Sequence, residues 1–249
     1  MRTVAIVNHK GGVGKTSLAV SLAGAWAAAG ERVALVDLDG QASASAWLGA
    51  ADDVDSTLDV FANGGPLRLV RSTVDGLDVA AASPALARLD ALLAGQPDAV
   101  TALRPALAAI GGGYAWAVID TPGAFGLATL AALAAASAVV VPVEPSLLAL
   151  AQLGEVLATV DRVRSRLAPT LPPAIIAPCR VDSRTVLARD VLDALRQRYG
   201  AAVAVATVRE SIRMREAPGA RQPIGVYDAT GGAAADVAAL AAEIAERLR

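Results

Sequence analysis

Short unbroken runs of apolar residues recur along the chain, at Val4 to Val7, Val33 to Val36, Leu77 to Ala81, Trp116 to Ile119, Val139 to Val143, Ile175 to Pro178 and Val203 to Val208. Longer Ala- and Leu-rich stretches separate them. Apolar runs without alternation mark strands covered on both faces, and strands interleaved with helices predict an α/β fold, a mostly parallel twisted sheet flanked by helices. Gly30 is placed to close the first helix and Ser146 to open a long one that ends before Pro169, while Ala233 to Arg249 predicts a terminal helix. The segment from Thr121 to Val143 is uncharged throughout, but alanine dominates it and Pro122, Gly123, Gly126 and Pro142 interrupt it. It reads as a buried helix, about Leu127 to Ala136, followed by a core strand from Ala138 to Val143, and not as a membrane span.

The 249 residues contain no low-complexity linker and no internal repeat, which predicts one domain over residues 1–249. The opening MRTVAIVNHK lacks the apolar core of a signal peptide and reads as a strand. A single cysteine, Cys179, allows neither an intramolecular disulfide nor a four-thiolate cluster, so a cytoplasmic setting is expected, with Cys179 a small buried residue. The formal net charge of −2 hides an uneven distribution: residues 162–221 carry twelve arginines against five acidic side chains. Contact with a polyanion is therefore expected in the C-terminal third, although the same count also fits a solvated helical face. Lysine occurs only as Lys10 and Lys15, against twenty arginines, which suggests two places where a compact ammonium cannot be exchanged for a planar guanidinium.

Both lysines lie in a loop. The first predicted strand is followed by His9-Lys10-Gly11-Gly12-Val13-Gly14-Lys15-Thr16-Ser17 and then by residues at helical spacing. Strand, Gly-rich loop and helix in that order make a phosphate cradle: Gly11, Gly12 and Gly14 let backbone N–H groups and the helix N-terminus face an anion. Lys15 is then expected to reach the β- and γ-phosphates of a nucleotide and the Thr16 hydroxyl to coordinate Mg²⁺. Two further strands end in carboxylates, Asp37-Leu38-Asp39-Gly40-Gln41 and Trp116-Ala117-Val118-Ile119-Asp120-Thr121-Pro122-Gly123, at the sheet edge where open α/β folds bind ligands. His9, the only histidine, has no neighbours in sequence that make a triad or metal site.

The box from Lys10 to Thr16 resembles the deviant Walker A loop of the ParA and MinD superfamily of P-loop ATPases. That resemblance implies ATP and Mg²⁺ as cofactors, Lys10, Gly11, Gly12, Val13, Gly14, Lys15, Thr16 and Ser17 as the nucleotide loop, and a homodimer formed with ATP in which Lys10 reaches the partner's nucleotide. A second cation supplied in trans on the developing phosphoryl charge makes hydrolysis depend on association. The Asp37 stretch resembles switch I, with Asp39 orienting the attacking water and Asp37 supporting the magnesium and switch network. The Asp120 stretch resembles Walker B and switch II, with Asp120 holding Mg²⁺ through water and Gly123 letting the loop rearrange. Thr16, Asp37 and Asp120 are thus the implied metal residues, and Lys10, Lys15 and Asp39 the implied catalytic ones.

The blocks Val181 to Thr185, Ile212 to Pro218, Gln222 to Ile224 and Tyr227-Asp228 are similar to the distal blocks of chromosomal-type ParA proteins, so the resemblance covers essentially the whole chain. It implies nonspecific DNA contact through Arg184 and Arg213, with Arg215 also a candidate and Arg189 and Arg221 weaker ones, and a ParB-like centromere-binding partner on the nucleoid. The chain departs from the family pattern twice. Gly40-Gln41-Ala42-Ser43 stands where Pro-Gln-Gly-Asn is usual, and Arg209-Glu210-Ser211 where Pro-Arg-Asn is usual. The first is expected to alter switch flexibility; the second falls where the adenine and the DNA surface are framed. The alternatives are a MinD-like membrane ATPase, which needs a basic, bulky apolar terminal helix that Ala233 to Arg249 does not supply, a ParA-like ATPase that positions a protein cargo, and an ATP-dependent ligase on the same fold. A nitrogenase-type reductase is excluded by the single cysteine.

Overall fold

The computed structural model of the chain describes residues 1–50 and 56–249. Seven strands form one sheet: β1 (Arg2–Ile6), β2 (Val33–Asp37), β3 (Val70–Arg71), β4 (Leu77–Ala80), β5 (Trp116–Asp120), β6 (Ala138–Val143) and β7 (Ile175–Pro178). Their order is β3-β4-β2-β5-β1-β6-β7, and every pairing is parallel except β3 with β4. The helices are α1 (Lys15–Ala28), α2 (Ser43–Trp47), α3 (Ser56–Asn63), α4 (Leu89–Leu92), α5 (Leu103–Ile110), α6 (Leu127–Ala135), α7 (Leu147–Leu167), α8 (Val186–Tyr199), α9 (Ile212–Glu216), α10 (Ile224–Tyr227) and α11 (Gly232–Arg247). Parallel strands need crossovers, and these, with the helices that follow β7, lay α1, α2, α10 and α11 on one face and α3, α5, α6, α7 and α8 on the other, so that the central strands are buried throughout.

Six of the seven apolar runs are strands. Val203 to Val208 is not, although it follows β7 closely: Ala204 N donates to Ile176 O at 2.8 Å and Val208 N to Pro178 O at 2.9 Å, leaving only isolated bridges. Between those points the chain bows away from the sheet. The Val205 and Ala206 amides donate instead to the Glu243 carboxylate on α11, at 3.0 and 2.9 Å, and Val205 is 80% exposed. A long-range side-chain acceptor thus replaces the ladder, which no local pattern announces. The seventh strand is β3, too short and too polar to register as an apolar run.

Segment 121–143 divides as expected into α6 and β6, and no helix among the described residues is long and apolar enough to cross a membrane. Ser146 caps α7, its hydroxyl accepting from Ala149 N at 3.2 Å, and Gly30 follows α1 at φ 85°. Below the sheet, Trp26 of α1 stacks on Trp116 of β5 with centroids 4.1 Å apart and donates to Ala241 O of α11. Midway along the same helix, a Cβ placed on Gly24 would lie 2.6 Å from the Pro223 ring, so the Gln222-Pro223-Ile224 block can dock on α1 only where the helix carries no side chain. In a free helix Gly24→Ala would gain about 1 kcal/mol, but overpacking against a ring costs about 1–3 kcal/mol. The variant is expected to lower the urea midpoint of unfolding; a raised midpoint would contradict this account of the contact.

Candidate active site

Register places the chemistry. Asp37 at the end of β2 pairs with Asp120 at the end of β5, which pairs with Ile6 at the end of β1. The loops after these three strands therefore leave the sheet side by side. Asn8 starts the Gly-rich loop: its amide donates to Pro142 O of β6 at 2.7 Å and its carbonyl accepts from Lys10 N at 3.0 Å. Gly12 and Gly14 take left-handed conformations, φ 78° and 89°, and Gly14 serves as N-cap of α1. The helix has no side-chain cap and no acidic residue in its first turn, so its leading amides and positive dipole end face the loop without an internal anion. Val13 is buried below the loop, Gly11 and Gly12 are exposed, and Thr16 and Ser17 are half-buried on the first turn.

Lys15 is buried and its ammonium donates to Lys10 O at 3.1 Å. Burial pulls its pKa below the usual value, and the charges of Asp120 and Asp39 pull it back. Lys10 is half-buried, and its ammonium has no partner among the described residues. His9 is exposed with its ring against Phe125, 4.8 Å between centroids, so it packs on the loop after β5. Gly123 in that loop lies over Lys15 and Gly11, and Thr121 anchors the loop through its hydroxyl to Ile6 O at 2.7 Å.

Asp37 and Asp120 are fully buried. Asp37 accepts from Asp39 N at 3.0 Å, Ser45 N at 2.9 Å and Ser45 Oγ at 2.7 Å. Burial pushes its pKa up to about 6, against the pull of the Ser45 bonds. Neither oxygen of Asp120 has a hydrogen bond of good geometry, although the Thr16 hydroxyl lies close enough to favour the charged form. Burial first and the Asp37 charge second hold Asp120 well above the carboxylate range, with Lys15 opposing. A buried carboxylate without partners, beside a hydroxyl and an ammonium, fits a site completed by a hydrated cation. Among the described residues no group of three or more His, Cys, Asp or Glu side chains is arranged to hold a metal ion by itself. This suits Mg²⁺, which takes one or two protein ligands and shares the rest with phosphates and water. Asp39 is half-exposed at the mouth, one oxygen accepting from Gln41 N at 3.0 Å.

Both departures from the family pattern have a local cause. A Cβ on Gly40 would lie 2.6 Å from the Ala87 backbone nitrogen, so the next segment closes onto it, and Ala42 takes the left-handed turn, φ 51°. Beside the Gly-rich loop is a cavity of 280 Å³ lined by Gly12, Leu18, Cys179, Arg180, Val208 and Met214, among others. Arg180, at φ 56°, spans its rim: it donates to Gly12 O at 3.0 Å and Glu210 at 2.9 Å, and reaches Glu144 at 3.5 Å. Glu210 also accepts from Arg215, and Arg209 pairs with Asp236 at 2.6 Å. Asn8, Ser45, Glu144 and Arg180 escaped the sequence reading, and Glu210 entered it only as part of a departure from the family pattern. Only Asn8, a turn-former between an apolar strand and the glycines, carried a local signal.

Arg184 and Arg213 line one surface groove together with Arg209, while Arg215 turns toward the cavity beside the Gly-rich loop. Each has a carboxylate partner: Asp182 for Arg184 at 2.8 Å, Glu216 for Arg213 at 3.0 Å, Glu210 for Arg215. Arg189 is exposed on α8, and Arg221 lies away from the groove, its carbonyl held by the Thr73 hydroxyl.

Raised carboxylate pKa values mean that the folded chain binds more protons than the unfolded one between about pH 4 and pH 6, so its stability falls as pH rises through that window. Asp120→Asn replaces an acid whose charged form burial disfavours, which is expected to leave the nucleotide-free chain at least as stable as the native one at pH 7 and to abolish the response of ATP binding to Mg²⁺. Melting curves with and without Mg-nucleotide check both; a less stable variant would contradict the charge argument.

A family described as AAA domain matches residues 1–172. Over its full length the chain is 37% identical to the chromosome-partitioning ATPase Soj of Thermus thermophilus, of which the match covers 97%. It is 34% identical over 100% of its length to the chromosome partitioning protein ParA of Caulobacter vibrioides, covering 96% of that protein. Among solved structures, cobyrinic acid a,c-diamide synthase from Mycobacterium smegmatis with bound ADP and magnesium superposes with a TM-score of 0.86 at 29% identity, covering 99% of this chain and 95% of that one. With the two-lysine loop and the in-register carboxylates beside it, these full-length matches show that the chain belongs to the ParA/Soj family of P-loop ATPases.

Proposed function

We propose that this chain is a partitioning ATPase, one domain over residues 1–249, whose ATP-bound dimer binds DNA without sequence preference and releases it on hydrolysis. The observation that carries the reading is Lys10: a second lysine at the rim of the phosphate loop with no partner among the described residues, beside a buried lysine that already serves the loop. Lys15, the loop amides and the first turn of α1 would hold the phosphates, Thr16 and, through water, Asp120 would hold the cation, and Asp37 would support it and the loop after β2 through its bonds with Ser45. Magnesium supplies charge neutralisation on the phosphate oxygens. Asp39 orients the attacking water from the mouth of the site, and Lys10 meets the developing charge on the partner's nucleotide, so that neither subunit completes the reaction alone. Leu147 and Leu148, 68% and 58% exposed, follow β6 on the same edge and suit a surface covered by a second copy of the chain.

For DNA, the groove of Arg184, Arg209 and Arg213 supports contact with phosphates. Since each arginine already holds a carboxylate, binding exchanges one anion for another, with counterion release as the gain. A membrane-bound version has less support: α11 buries Val237, Leu240, Ala241 and Ile244 against the body of the protein, which leaves alanines and charged residues outside and no bulky apolar face for lipid. The proposed setting is the cytoplasm, on the nucleoid, with a ParB-like protein accelerating hydrolysis. The likeness to a protein named as a diamide synthase favours one second reading, an ATP-dependent ligase, in which turnover requires a carboxylic acid and a nitrogen donor.

Binding to a random-sequence duplex at low salt, with ATP, ADP or no nucleotide, tests the proposal. ATP-selective binding is expected, about tenfold weaker in Arg213→Glu, with the salt slope reduced by about 1.8 because each dimer then neutralises two fewer phosphates. Binding absent in every state, with turnover awakened by a carboxylic acid, would replace it with the ligase reading.

A further inference from the structure

Between the loops that follow β2 and β5, the chain makes an excursion that touches both. A tight turn over Pro84–Arg88 runs directly into α4, and Leu86 and Leu89 fix the pair in the core. At the first contact the backbone of Ala87 lies against Gly40, with room for no side chain. Three residues on, Asp90 reaches the helix after the other loop: its Oδ1 accepts from Leu127 N, the first residue of α6, at 2.7 Å. That helix has no cap of its own, since Gly126 occupies the N-cap position, and a Cβ there would run into the Asp90 carboxylate. A carboxylate at a helix N-terminus satisfies an orphan N–H and opposes the positive dipole end, so the cap is supplied from another part of the chain.

Both ends of the excursion are tied to the site. Ala82 N, just before it, donates to Ser45 Oγ at 3.0 Å, and the same hydroxyl donates to Asp37 at 2.7 Å. In the first turn of α6, Thr129 Oγ1 donates to Ala124 O at 2.7 Å, holding the loop after β5 to the capped helix. An unbroken set of contacts therefore runs from Asp37 through Ser45, Ala82 and the Pro84–Leu92 segment to α6 and Ala124.

We propose that Pro84–Leu92 is a strut that couples the two nucleotide-responsive loops, and that Asp90 is the positioning residue at its α6 end. The proposal rests on reading the loops after β2 and β5 as the segments that respond to nucleotide. Packed by Leu86 and Leu89, the strut moves as one piece, so a shift of Gly40 on loss of the γ-phosphate displaces the Asp90 cap, and a shift of α6 presses back on Gly40. Coupling of this kind is reciprocal.

Amide hydrogen exchange on the full chain, with Mg-ATP and with Mg-ADP, tests it alongside steady-state ATP turnover. In the native chain, residues 37–48 and 121–130 are both expected to be better protected with ATP. Gly40→Ala is expected to speed exchange at 124–130 by about threefold, and Asp90→Ala to loosen 37–45 in turn. Asp90→Ala should lower kcat about fivefold with KM for ATP within about twofold, and Asp90→Asn, which keeps a capping oxygen, should recover most of the loss. Changes confined to the mutated loop, or a drop in thermal stability with kcat untouched, would overturn the strut while leaving the site assignment standing. If neither loop of the native chain responds to nucleotide, both fall. Should Gly40→Ala not fold, the Asp90 pair decides the matter, since that side chain lies at the surface.

Discussion

Asp37 and Asp120 stand next to each other at the ends of neighbouring strands, both fully buried, and two carboxylates so placed repel each other in a medium that screens them weakly. Their charge is met in different ways. Asp37 is held by three hydrogen bonds from its own side of the sheet, two of them from Ser45. Asp120 has no such bonds and faces the Thr16 hydroxyl and the Lys15 ammonium across the mouth of the loop. A site built in this way is left with a deficit of positive charge, which in the proposed function a hydrated cation arriving with a nucleotide makes good. The parallel register of β1, β5 and β2 creates the problem and also places the phosphate loop where the remedy arrives.

The consequences spread outward from that pair. Fixing Asp37 requires Ser45, whose hydroxyl also holds Ala82 just after β4, and the chain there leads into the segment that touches the loops after β2 and β5. On the other flank, Arg180 ties the Gly-rich loop to Glu144 and Glu210, so the cavity beside the loop has an ion-paired rim. The side chains of these pairs are about a third exposed, and each pair is worth little to stability. Their effect is on position: they fix the rim beside the phosphate loop, and Glu210 also holds Arg215 there.

What the sequence made legible was what depends on neighbours along the chain. Apolar runs located six strands, the glycines located the loop, Ser146 the cap of α7, and terminal carboxylates the site edge. What escaped depends on distant partners. The fate of Val203 to Val208 is decided by Glu243, roughly a helix away, and the short β3 exists because β4 offers it an edge. Gly40 reads as a departure from a pattern until Ala87 is seen against it, and Arg209-Glu210-Ser211 reads as a loss until Asp236, Arg180 and Arg215 are seen to complete it. Charge density and resemblance find the candidate DNA arginines but not their carboxylate partners, because Asp182 and Glu216 enter a charge sum only as offsets.

The central claim is that one subunit lacks a cation that a second copy brings. Sedimentation velocity of the native chain and of Lys10→Ala, each saturated with Mg-ATP or Mg-ADP, tests it most directly. A dimer only for the native chain with ATP, and monomers in the other three conditions with nucleotide still bound, is the predicted result. An ATP-dependent dimer of undiminished affinity in Lys10→Ala, or a native chain that stays monomeric with ATP, would contradict it.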